Sequence, residues 1–288
     1  MPNEKSNHPS YLKVFLTFAR NSLVRDMMFR TNFILEAVTS LAWSIMNIGF
    51  YWIIFEHTAS IGANTGWGKY EFFVFMGTTW IINSIVQTFF MPNSEIFSEL
   101  IRTGGLDFAM LKPIDTQFLI SFRKVNWPSL SNLVLGIGLV ALSVNVLMGR
   151  AENPWRFDAS VILLYPIYIC CGVIILYSLM ICLAATSVWL GRNQTLYDFW
   201  FYITNFSRYP MEIYSRGWGL PLLFIFTFVV PVLVVVNIPA RILAQPLTPR
   251  ASWEWPLAAF TLLATVGSLA ASRWVFQKAL LSYRSASS

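Results

Sequence analysis

Charge is what this sequence has least of: Asp, Glu, Lys and Arg make up 12% of 288 residues, against about 25% in ordinary soluble domains. No polar interval is long enough to bury a core of its own, so a separate soluble domain is not expected. Histidine is nearly absent. His8 and His57 fall on opposite sides of the membrane in the topology reached below, which excludes a metal cluster or a His-based catalytic set within one chain. The three cysteines, Cys170, Cys171 and Cys182, share one apolar run and read as small buried apolar residues. A phosphate-binding loop is lacking as well. In Gly-Ala-Asn-Thr-Gly-Trp-Gly-Lys at 62–69 five residues precede the Gly-Lys where that motif needs four, and Tyr70 follows where it needs Ser or Thr. No enzymatic activity is therefore expected of the chain itself. There is no internal repeat or low-complexity tract. No short apolar stretch with a small-residue cleavage site precedes the first long run, so no cleaved signal peptide is expected.

What is abundant is apolar length. Hydrophobic residues make up 56% of the chain, with 24 Phe, 12 Trp and 11 Tyr, and the mean hydropathy is +0.57. Many of the rings sit at the edges of apolar runs, where amphipathic side chains prefer the headgroup level. The composition is that of an all-α polytopic membrane protein. The formal charge of +6 is read as topology and not as a nucleic-acid surface.

Residues 9–30 carry Leu12, Phe15, Leu16, Ala19, Leu23 and Met27 on one helical face and Lys13, Thr17, Arg20 and Arg25 on another. They form either an interfacial helix or a plain flanking segment that supplies topogenic charge. Apolar runs at 33–55, 72–91, 130–148 and 161–190 are each long enough to cross a core of about 30 Å. A last span covers 255–276. Between them, 194–238 admits two arrangements. In one, 194–217 is a cytoplasmic connection and 218–238 the fifth span. In the other, 194–209 crosses outward and the run punctuated by Pro221 and Pro231 dips back as a re-entrant hairpin, which requires burial of its backbone by protein. Both give six spans with both termini cytoplasmic. Lys5, Lys13, Arg20, Arg25, Arg30, Arg102, Lys112, Arg123, Lys124, Arg192, Arg273, Lys278 and Arg284 then lie inside, with Lys69, Arg150, Arg156, Arg241 and Arg250 outside. Arg208 and Arg216 lie inside in the first arrangement and outside in the second.

Few polar groups remain within the spans: Glu36, Asn47, Asn83, Gln87, Asn145 and Asn237. Glu36 sits close to the inner edge, which gives little support to an ion-driven carboxylate relay. The Asn and Gln residues either hydrogen-bond neighbouring helices or line a path, and Asn47, Asn83 and Gln87 are the path candidates.

Residues 94–113, between the second and third spans, are too charged to cross and too regular to be a linker. Ile96, Phe97, Leu100 and Ile101 recur at helical spacing, Glu95, Glu99 and Arg102 take another face, and Gly104 and Gly105 end the helix. A second apolar turn then runs from Leu106 into Lys112 and Pro113. Such an element either lies on the lipid surface or acts as a lever.

The stretch Glu-Leu-Ile-Arg-Thr-Gly-Gly-Leu-Asp-Phe-Ala-Met-Leu-Lys-Pro-Ile at 99–114, the N-terminal helix and the six spans resemble permease subunits of the type-two exporter family of ATP-binding-cassette transporters. So do Asn-Phe-Ser-Arg-Tyr-Pro-Met-Glu-Ile-Tyr at 205–214, Pro231, and Asn-Ile-Pro-Ala-Arg at 237–241, which favour the re-entrant arrangement. The resemblance implies a single permease domain over 1–288 that pairs with a second permease, as homodimer or heterodimer, and with cytoplasmic ATPases on other chains. It implies no cofactor in this chain, ATP and Mg being bound by the ATPase. Glu99, Arg102, Gly104, Gly105, Leu106, Asp107, Leu111, Lys112 and Pro113 would form the coupling helix, and the location would be the plasma (inner) membrane. A non-transporting scaffold, and an ATP-independent carrier or channel, are the alternatives.

Overall fold

The computed structural model describes residues 10–62, 65–150, 159–190, 194–215, 217–245 and 254–283, and these contain helices and turns but no strand. Lys5, His8, Arg156, Arg192, Arg216, Arg250 and Arg284 lie outside the described residues. Helix α1 covers Tyr11–Met28 and α2 Arg30–His57. Then come α3 Lys69–Phe89, α4 Met91–Arg102, α5 Gly105–Met110, α6 Thr116–Phe122 and α7 Leu130–Met148. The chain continues with α8 Ala159–Ala185, α9 Ser187–Leu190, α10 Gln194–Asn205, α11 Gly219–Phe224, α12 Leu233–Ala244 and α13 Glu254–Ser282.

Five helical stretches are long and apolar enough to cross a membrane, and a bent pair, Gly219–Val229 with Leu233–Ala244, brings the number to six. The chain is thus a multi-pass α-helical membrane protein. Its spans run past the boundaries drawn from apolar runs, since α2 begins at Arg30 and α13 continues to Ser282. Helices tolerate a charged turn at each end, where side chains reach water. The run at 161–190 is broken at Thr186, whose hydroxyl bonds the Leu183 carbonyl at 2.6 Å, so α9 is a separate turn.

Helix α3 is the centre of the bundle, with 72% of the span it begins buried by the rest of the chain, whereas only 6% of the α2 span is covered. Close approach to α3 depends on small residues: a Cβ on Gly77 would come within 2.9 Å of the Gly136 carbonyl of α7, and one on Gly136 within 2.9 Å of the Gly77 carbonyl. Without a solvent-driven force between spans, such backbone-to-backbone packing is what holds them. Gly172 of α8 does the same against α12, 2.8 Å from the Val235 carbonyl.

Contacts define two ends. At one, Arg150 pairs with Glu71 at 2.6 Å and the Trp67 indole donates to Glu212 at 3.1 Å. At the other, α4, α5 and α6 share a second core with the ends of α8 and α13, built from Phe97, Leu106, Leu119, Ile120, Ala185 and Phe276.

Candidate functional site

The hairpin of α4 and α5 is closed by one residue. Helix α4 ends at Arg102, Thr103 donates its N–H to Glu99 at 2.9 Å, and Gly104 takes φ 71°, the left-handed conformation that glycine adopts without a Cβ penalty. Gly105 is held by space instead, since a Cβ there would sit 2.8 Å from Leu100 Cδ2. Glu99 and Arg102 pair across one turn at 2.5 Å, both largely exposed, so solvent screens most of their attraction.

The remaining residues named from sequence divide between two faces. Leu106 is fully buried against the second core and Asp107 is half-buried, so Leu106 anchors the hairpin and offers no outward surface. Leu111, Lys112 and Pro113 are exposed. Phe108, 73% exposed, and Met110 join them, and the sequence reading passed over both. The signal was there: burial of Leu106 and Ala109 at i, i+3 leaves Phe108 and Leu111 on the opposite face. The hairpin thus presents an apolar tip whose other side is fastened to the bundle.

That fastening has a polar part. Asp115 caps α6, accepting from Phe118 N at 2.9 Å, and the same carboxylate receives Arg273 of α13 at 2.5 and 3.1 Å. The Arg273 guanidinium holds the Asp115 carboxyl below the usual carboxylate range. Arg273 also donates to Gln117 Oε1 at 2.8 Å, and Gln117 Nε2 reaches the Tyr177 hydroxyl of α8 at 3.1 Å. An Asp just before an apolar run was a legible cap; its long-range partner was not.

At the opposite end the two later motifs meet. Glu212 pairs with Arg241 and accepts from Trp67, all three largely shielded. Asn237, fully buried, accepts from Met211 N at 2.8 Å and donates to the Leu233 carbonyl at 2.8 Å. The residues before the bent pair are therefore tied to its second arm, α12, next to Trp67. The two arms lie at 89° to each other, and α12 is buried along its length.

The path candidates are less concentrated. Asn47 spends its amide on the Trp43 carbonyl of its own helix at 2.8 Å. Asn83 and Gln87 lie with Trp80 on the half-covered stripe of α3 and make no hydrogen bond among the described residues. Nothing brings Asn47 against them.

Comparison with curated proteins and with solved structures returned no match. A family model described as ABC-2 family transporter protein matches residues 41–287, which takes in α3 through α13 and most of α2. By that match this multi-pass membrane protein, with its tethered hairpin, belongs to the ABC-2 transporter family.

Proposed function

We propose that the chain is the membrane-spanning permease subunit of an ATP-driven exporter, working as a pair of permeases with cytoplasmic ATP-binding-cassette ATPases on other chains. The observation that carries this reading is the hairpin: Phe108, Met110 and Leu111 face outward while Leu106 and Phe97 lock its inner side onto α8 and α13. A surface so tethered converts a push from a partner into movement of two spans at once. Closure of the ATPases around ATP and Mg²⁺ would favour one of two discrete packings of the bundle, and hydrolysis would release it.

The hairpin end is placed in the cytoplasm of a cell whose plasma membrane holds the protein. Support comes from charge, since Arg20, Arg25, Arg102, Lys112, Arg123, Lys124, Arg273 and Lys278 gather there against Lys69, Arg150 and Arg241 at the Trp67 end. On this placement α1 lies along the inner leaflet. Helix α10, its following 3₁₀ turn and the extended residues Tyr209 and Pro210 together rise about 30 Å and serve as the fifth crossing. The bent pair then enters from and returns to the outer side, a reading supported by the Glu212–Arg241 pair, which ties the stretch before it to its second arm. The path would run between paired permeases, past the α3 stripe of Asn83 and Gln87.

The test is retention of the ATPase. When both Phe108→Ser and Leu111→Ser are introduced, the chain should still insert and purify, while the ATPase that copurifies with it and ATP-dependent uptake into inverted vesicles are lost. Full uptake by the double variant would overturn the reading. Copurification of a partner without nucleotide hydrolysis would favour a scaffold.

A further inference from the structure

A groove of about 530 Å³ opens at the hairpin end between the end of α1, the start of α2 and the loop after α6. Its loop wall is rigid. Lys124 N donates to Asn93 Oδ1 at 2.7 Å and Asn93 Nδ2 donates to Lys124 O at 2.7 Å. Val125 N meets the buried Ser22 hydroxyl at 3.1 Å, and the Trp127 indole reaches the Ala19 carbonyl at 3.1 Å. The backbone of this loop is thus pinned on both sides, and it holds Lys124 half-buried in the groove.

Among the described residues no carboxylate lies within ion-pair distance of the Lys124 ammonium, and it makes no other interaction. Arg25, also in the groove, has Asp26 at 3.9 Å. A partly desolvated cation on such a support is stabilised by an anion, and no described carboxylate is close enough to Lys124 to supply one. The groove also holds two carboxylates, Asp26 and Glu36, so its formal charge is balanced. A simple anion would meet repulsion as well as attraction. A headgroup with a phosphate and a primary amine would satisfy both signs. Phe29 at the groove is 68% exposed, and Trp43, Met46 and Phe50 continue an exposed apolar face up the same side of α2, a surface suited to acyl chains.

We infer that this groove binds a glycerophospholipid of the ethanolamine type, with its phosphate between Lys124 and Arg25, its ammonium toward Asp26 and Glu36, and its chains along α2. The site does not depend on the ATPase partner. It is tested by native mass spectrometry of the purified full chain, titrated separately with phosphatidylethanolamine, phosphatidylcholine and phosphatidylglycerol. Ethanolamine lipid should be retained most. Choline lipid lacks the N–H donors and glycerol lipid the cation, so each should bind several-fold less well. Lys124→Met should reduce bound ethanolamine lipid about tenfold, as expected for loss of a charged hydrogen bond, while Lys124→Arg keeps it. Arg25→Gln, on a different element, should reduce it independently. Water-soluble glycerophosphoethanolamine should not displace the lipid, because it has no chains to lay on α2. Equal retention of the three lipids, preference for the glycerol lipid, displacement by the chainless headgroup, or unchanged binding in both Lys124→Met and Arg25→Gln would each overturn the inference.

Discussion

Replacing Asp115 by Asn separates the tether's charge from its cap. Asn caps a helix as well as Asp does, so the bond from Phe118 N at 2.9 Å survives, while the bidentate pair to Arg273 is lost. A fully exposed pair contributes about 0.2–1 kcal/mol and a shielded charged hydrogen bond about 1.5–3 kcal/mol. With side-chain exposures of 33% for Asp115 and 45% for Arg273, solvent screening keeps the expected loss near 1 kcal/mol. In a chain of this size that is a fall in Tm of about 2–4 °C. Asp115→Ala, which loses the cap too, should lose roughly twice as much. Because Arg273 lowers the Asp115 pKa in the folded protein, the tether contributes fully above the unfolded value of about 3.9 and fades as pH falls through the lower, folded value. The gap between wild type and Asp115→Asn in a detergent-solubilised melt should therefore be constant from pH 7 to 5 and close below about pH 4. The apolar part of the joint remains, including Phe97 against Phe276 at 5.6 Å. On the proposed coupling to an ATPase, the variant should thus retain that partner but transport less per ATP hydrolysed. A variant that melts like wild type at pH 7, or a gap that persists undiminished to pH 3, would refute the reasoning.

Gly104→Val forces a β-branched residue into the left-handed region and should lower stability by about 1–2 kcal/mol or more, seen as loss of efflux with insertion preserved. Gly77→Ala should destabilise by about 1–3 kcal/mol through overpacking against Gly136 and Val140. Gly138→Ala, with nothing within 4 Å of the new Cβ, should melt like wild type. Arg241→Met leaves the shielded Glu212 without its cation and should cost about 3 kcal/mol. Adding Glu212→Gln should recover much of that in the same melting assay.

The spans, the hairpin and its glycine stop were legible in the sequence because each rests on a local pattern: long apolar runs, helical spacing and Gly104. The two readings of 194–238 stayed open for a physical reason. What bears on them is a set of long-range bonds, Glu212 to Arg241 and Trp67 and Asn237 to Met211, and periodicity does not encode partners. The motif residues were visible while their mutual contacts were not. That Leu106 packs inward on α5 was not legible for a related reason. On a two-turn helix both faces are apolar, and only the neighbouring elements decide which one is buried. The Asp115–Arg273 joint was not legible because its halves lie 158 residues apart in the chain.

The sharp corner at Val230 and Pro231, where the two arms of the bent pair meet at 89°, leaves peptide groups outside helical bonding, and on the proposed re-entrant placement it lies within the membrane. Lipid would not shelter that corner, so α12, the buried arm, has to settle after α3 and α8 have formed a socket for it. Biogenesis then acquires an order that synthesis alone does not impose. A nascent chain halted just beyond Ala244 should remain a substrate for membrane quality control until α13 arrives and shuts the socket.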